Sequence, residues 1–225
     1  MNAPASLKGH RATYLGLAIA LLAGPAFVAG YRLVTGELRS DGQVVGREVG
    51  IFLIVAVLLW IVTRQERLPL TSIGLRLDRL GRSLLRGCLL TLVVLGVTVC
   101  MYLLLQLVGV HLGESAADAF HPSVWAVVLV MLRAGVAEEI CYRGYAIERL
   151  QTLTGRRWLA GLVPLAVFAA AHYRQGWGGI AATFVVGAIF TIVYVRFRDL
   201  VANISAHFLG DFVLNVVLPL LSGGR

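Results

Sequence analysis

The chain of 225 residues is 58% hydrophobic and only 14% charged, which excludes an ordinary soluble domain and makes a lipid bilayer its natural solvent. Its net charge of +8 does not mark a nucleic-acid binder, because the basic residues gather at the ends of apolar runs rather than on one face of a domain. The three cysteines, Cys88, Cys100 and Cys141, lie in or beside apolar segments with no CxxC pair, so neither a disulfide framework nor a zinc finger is indicated.

A membrane span needs roughly 20 residues at 1.5 Å rise each. The apolar runs predict helices over 13–33, 46–63, 87–110, 123–142, 158–173, 178–195 and 200–221. The first follows Lys8 and Arg11; its run is too long for the apolar region of a cleaved signal peptide, so it reads as a retained helix, kinked at Gly24-Pro25. The second has only about 15 uncharged residues, Val49 to Thr63, so it is short, tilted or extended past Arg47 and Glu48. Between the second and third, Arg64 to Arg86 is the only sizeable polar connection. There Leu75, Leu77, Leu80, Leu84 and Leu85 alternate with arginines and suggest an amphipathic helix on the cytoplasmic surface. The expected fold is all-α: a polytopic transmembrane helical bundle of about seven spans, with room for an eighth. It is read as a single integral membrane domain, 1–225, with a motif-bearing core over about 123–221.

Orientation follows from lysine and arginine, which are retained in cytoplasmic loops. With the N-terminus inside, fourteen fall on the cytoplasmic side, from Lys8 and Arg11 to Arg196 and Arg198; five fall opposite, Arg32, Arg39, Arg47, Arg174 and Arg225. The loop from His111 to Pro122 carries none. Tyr14, Tyr31, Trp60, Trp125, Trp158, Trp177 and Tyr194 flank the predicted spans, as interfacial aromatics do.

Ionisable residues inside apolar spans cost about 2.5–3.5 kcal/mol each on insertion scales, so each needs a reason to be there. They form three groups: Glu138, Glu139 and Arg143 in the fourth span, His172 in the fifth, and Asn203, His207, Asp211 and Asn215 at four-residue spacing in the seventh. Glu139 and Arg143, at i and i+4, can pair on one helical face, whereas Glu138 points about 100° away and is left over. Arg133 lies inside the fourth span with no partner indicated. If the fourth helix continues to about Gln151, helix rise lifts Glu138 roughly 20 Å, His172 roughly 21 Å above Trp158, and His207 and Asp211 roughly 12–18 Å above Asp199, so all four can meet near mid-depth. A carboxylate, two imidazoles and another carboxyl in a low-dielectric pocket are an inventory for general acid/base hydrolysis.

In their order, Glu138-Glu139-x-x-x-Arg143, Phe168-x-x-x-His172 and His207-x-x-x-Asp211 resemble the CPBP family, which includes the type II CAAX prenyl endopeptidases and Abi-type proteins associated with bacteriocin self-immunity. The resemblance covers Glu138 to Asp211; the first three spans match only in hydrophobicity and length. It implies an intramembrane endopeptidase in which Glu138, assisted by His172, activates water for attack on a peptide bond. Glu139, Arg143 and Phe168 would be structural, and His207 and Asp211 would stabilise the oxyanion or orient the other groups. Asp211 is a departure, because the CAAX endopeptidases usually carry Asn there; it must then be protonated, orient His207 or ligate a metal. Members are often named metalloproteases, and Glu138, His172, His207 and Asp211 have the chemistry of a divalent metal site such as zinc, although no HExxH is present and a metal-free site is equally open. The partners implied are a peptide or protein substrate, lipidated or not, and membrane lipids, with no nucleic acid. The implied location is a bacterial inner or plasma membrane, with the site open to the cytoplasm or sideways to lipid.

Other readings stay open. Cys141 with His172 as base would make a cysteine nucleophile, although cysteine is at home in apolar helices. Intramembrane Glu, His and Asp also mark proton-coupled transporters, although no inverted repeat is visible. A non-catalytic immunity or scaffold protein could carry the same motifs.

Overall fold

The structure, a computed structural model, describes residues 11–109 and 120–222. Lys8, residues 110–119 and Arg225, which enter the span and charge readings above, lie outside the described residues. Among the described residues the secondary structure is helical, without strands. Seven long helices follow in order: α1 Arg11–Thr35, α2 Asp41–Gln65, α3 Leu80–Leu107, α4 124–154, α5 Arg157–Ala171, α6 Gly176–Phe197 and α7 Leu200–Leu221. Each coincides with a helix expected from the hydropathy pattern. Five of them, α1, α2, α3, α6 with its preceding turn and α7, are long and apolar enough to cross a membrane. α4 carries Arg133, Glu138, Glu139 and Arg143 in its apolar stretch, and α5 has only 15 residues.

Local chemistry explains the boundaries. Ser40 caps α2, its hydroxyl accepting from the Gln43 amide, so the second helix begins at Asp41 and runs past Arg47 and Glu48. The second span thus gains its length at its N-terminal end. In α1 the chain does not break at Gly24-Pro25. A π-helical turn, Ile19–Ala23, immediately precedes it and takes up the distortion that the missing proline N–H imposes. The separate amphipathic helix expected between Arg64 and Arg86 is not there. The connection holds a short 3₁₀ turn, Leu70–Ile73, with Ile73 fully buried, and Leu80, Leu84 and Leu85 belong to the first turns of α3. Ile73 is drawn inward because Gly74, at positive φ, accepts a hydrogen bond from the Leu200 amide at 3.0 Å, pinning the linker to the start of α7.

The packing is inverted relative to a soluble protein. Leu53, Leu92, Leu103 and Ile192 face outward, whereas Glu48, Glu66, Glu139, Arg143 and Arg149 are buried. α4 is the central element: its middle, Ala134–Ile147, is almost wholly enclosed by α1, α2, α5 and α7. A Cβ at Gly135 would stand 3.1 Å from the backbone of Ile204 and Phe208, so glycine lets α4 and α7 meet backbone to backbone. This brings the acids of α4 within reach of the polar stripe on α7.

Candidate active site

The middle of α4 is a π-helix of 14 residues, Ala134–Ile147, in which hydrogen bonds run to the fifth residue rather than the fourth. On a regular α-helix Arg133 and Glu138 would be about 140° apart. In the widened turn they meet, and Arg133 Nη1 donates to Glu138 Oε1 at 2.8 Å. The expectation that Glu138 lacks a partner is therefore corrected, and Arg133 acquires a role. Its Nε donates to Glu48 of α2, whose other oxygen accepts from Arg47 Nε at 2.7 Å.

Glu139 points the other way, into the interface with α7, and is completely buried. Arg143 Nη1 reaches its Oε1 at 2.9 Å, the pairing expected from i and i+4 spacing. His207 Nδ1 contacts the same oxygen at 2.9 Å, and Asn203 Nδ2 donates to Oε2 at 3.0 Å. Arg143 is itself fixed: it donates to the Gly187 carbonyl at 3.1 Å and lies 4.4 Å above the Phe168 ring. A side chain at Gly187 would intrude on it, since a Cβ there would come 3.1 Å from the guanidinium.

With Nδ1 committed to Glu139, the Nε2 of His207 lies 3.8 Å from Glu138 Oε2 and 3.6 Å from Asp211 Oδ2. Phe190 stacks on the imidazole at 5.3 Å. His172 stands at the C-terminal end of α5, where its Nδ1 contacts the Phe168 carbonyl at 2.8 Å and its ring packs edge-on to Phe168. If Nδ1 carries the proton there, Nε2 keeps its lone pair. Glu138, His207 and Asp211 thus form one cluster. His172 does not touch it directly; it shares with Glu138 the walls of a cavity of about 370 Å³ between α1, α2, α4 and α5. Apolar Val28, Ile51 and Val55 line much of this cavity, and Glu37, Tyr173 and Arg174 stand at the end formed by the α1–α2 and α5–α6 connections. Cys141 is buried in its α4 wall.

A divalent metal does not fit this arrangement. Glu138 is already paired with a guanidinium, His207 gives one ring nitrogen to Glu139, and no three His, Cys, Asp or Glu side chains converge as a ligand set among the described residues.

Glu48 and Glu66 are buried acids that escaped the sequence reading. Glu48 is fully buried between Arg47 and Arg133. Glu66 accepts from Thr13 at 2.9 Å, Tyr145 at 2.8 Å and Arg149 Nε at 2.9 Å, tying α1 and α4 to the end of α2. A signal for Glu48 was present: an intramembrane arginine without a partner requires an acid somewhere in the bundle.

A helical membrane bundle with acids and imidazoles gathered in its interior defines a class, and comparison with known proteins gives the family. Residues 120–213 match the family model described as Rce1-like, type II CAAX prenyl endopeptidase Rce1-like. The match covers the site-bearing part of the chain, which is similar to this family of type II CAAX prenyl endopeptidases. No curated protein and no solved structure matches the chain.

Proposed function

We propose that the chain is an intramembrane endopeptidase that hydrolyses a peptide bond with a glutamate-activated water. The observation that carries this reading is that Glu138 and His172 wall one cavity, while His207 Nε2 lies 3.8 Å from Oε2 of Glu138, the oxygen not held by Arg133. Oε1 of Glu138 is occupied by Arg133, so Oε2 takes a proton from water, with His172 Nε2 as the second acceptor in the cavity. The resulting hydroxide attacks the scissile carbonyl. His207, as an imidazolium held by Glu139, donates from Nε2 to the oxyanion, and Asp211 orients it. Collapse of the tetrahedral intermediate breaks the C–N bond, and Glu138 returns its proton to the leaving amine. Glu139, Arg143 and Phe168 hold this array in place.

The chain acts as one integral membrane domain. Seven crossings are supported by α4 and α5 packing inside the same bundle as the five longer spans, since ions turned towards protein rather than lipid do not bar a helix from the membrane. The substrate is a peptide or protein, and the apolar cavity walls suit an apolar or lipidated segment. Exposed arginines crowd one end of the bundle, among them Arg64, Arg79, Arg157 and Arg196, which supports a cytoplasmic placement of that end with the N-terminus inside. Glu37 and Arg174, which line one end of the cavity, lie at the other end. On this orientation the cavity reaches the non-cytoplasmic end of the bundle.

Cleavage of a panel of reporter peptides, some lipidated, tests the reading with the detergent-solubilised protein. Glu138→Gln and His172→Ala should each lower kcat by about 10²–10⁴-fold with the fold intact. Variants that cleave as well as wild type would refute it.

A further inference from the structure

Glu48 has no part in the family motifs, yet it is the most enclosed acid on α2, and both of its oxygens are engaged. Oε1 accepts from Arg47 at 2.7 Å and Oε2 accepts from Arg133 Nε. An ion pair that only stapled α2 to α4 would be complete at that point. The guanidinium of Arg133 goes further: its Nη1 reaches Oε1 of Glu138, the acid that faces the cavity, at 2.8 Å. Arg133 therefore stands between a fully buried carboxylate and a partly exposed one, with side-chain exposures of 0% for Glu48 and 19% for Glu138. A second tether holds the donor helix in register, since Asp41 at the start of α2 accepts from the Ser123 amide at the start of α4 at 3.1 Å. The planar fork of arginine suits this double duty, because Nε and Nη1 are held at fixed angles and a carboxylate bound to one predetermines where the other points.

We propose that Glu48 and Arg133 are positioning residues of the proteolytic site: Glu48 fixes Arg133, and Arg133 holds Oε1 of Glu138 so that Oε2 is the oxygen presented to water. This rests on the proteolytic reading above. α2 lies outside the matched segment 120–213, so the site extends beyond the part of the chain that carries the family motifs. The first wide turn of the π-helix is what brings Arg133 to Glu138.

The test uses the full chain in detergent, with Glu48→Gln, Arg133→Gln, Arg133→Lys, the Glu48→Gln/Arg133→Gln double variant and Glu138→Gln. Thermal unfolding reports the folded fraction, and kcat and KM are measured per folded molecule. Glu48→Gln should lower kcat by roughly 10- to 100-fold at unchanged KM, because a misplaced base costs rate rather than substrate affinity. Arg133→Gln should lose at least as much, Arg133→Lys should recover part of it, and Glu48→Gln should cost nothing further in the Arg133→Gln background. A merely structural pair would lower the unfolding temperature and leave kcat per folded molecule unchanged, and that result, or additive losses in the double variant, overturns the proposal. The two readings fail differently. If Glu138→Gln is inactive while Glu48→Gln keeps the wild-type kcat, only the positioning role is wrong; if Glu138→Gln is as active as wild type, the proteolytic reading is wrong and this proposal with it.

Discussion

His207 Nδ1 lies 2.9 Å from Glu139 Oε1, and this contact joins the polar stripe of α7 to the buried half of α4. The same oxygen accepts from Arg143, so one atom serves a cation that braces the bundle and an imidazole that faces the candidate site. It also fixes the ring: the Nδ1 hydrogen is held by the carboxylate, and Nε2 is the nitrogen left for chemistry.

Glu139→Ala should therefore destabilise the protein by about 3–5 kcal/mol, since it leaves Arg143 buried without its anion and frees His207 to rotate. Thermal unfolding in detergent measures this. A loss below about 1 kcal/mol would mean that Arg143 finds another partner and that the hub role of Glu139 is wrong.

Asp211 stands one helical turn beyond His207, its Oδ2 3.6 Å from His207 Nε2. If its task is to orient His207, an amide oxygen serves nearly as well, so Asp211→Asn should stay within about 10-fold of wild-type kcat/KM, whereas Asp211→Ala should lose about 10²-fold. Equal losses in both would show that the carboxylate charge itself is required.

Because Arg133 holds one oxygen of Glu138 and Glu139 holds one ring nitrogen of His207, cleavage should be insensitive to chelators. The measurement is the rate before and after prolonged dialysis against a chelator, with zinc added back. Loss of activity that zinc restores would mean that the cluster rearranges around an ion.

The cavity end lined by Glu37, Tyr173 and Arg174 should be accessible from the side opposite the arginine-rich end. In a variant lacking Cys88, Cys100 and Cys141, a membrane-impermeant maleimide applied to intact cells should label Tyr173→Cys, and should label Arg79→Cys only after permeabilisation. The positions are both exposed and lie at opposite ends of the bundle. The reverse pattern would turn the molecule over and open the site to the cytoplasm.

Much of this architecture was legible in the sequence because hydropathy is a local property. A run of apolar residues bounded by arginines predicts a helix whatever surrounds it, and all seven helices lie where those runs fall. The cost of burying charge likewise singled out Glu138, Glu139, Arg143, His172, His207 and Asp211, and four-residue spacing alone placed Arg143 beside Glu139. The helical register of α4 was not legible. Periodicity arguments assume 3.6 residues per turn, and a π-helix changes which residues share a face without changing composition, so Arg133 and Glu138 stood apart on paper. Nor could Glu48 and Glu66 be matched with Arg133 and Arg149, since each pair joins residues more than eighty positions apart and only the docking of α2 against α4 brings them together. The sequence by itself determined the helices and the residues too costly to bury without partners. The tertiary structure decided which partners they have, because ion pairing at a distance depends on how helices pack and on the turn they adopt, and neither is written in the neighbours of a single residue.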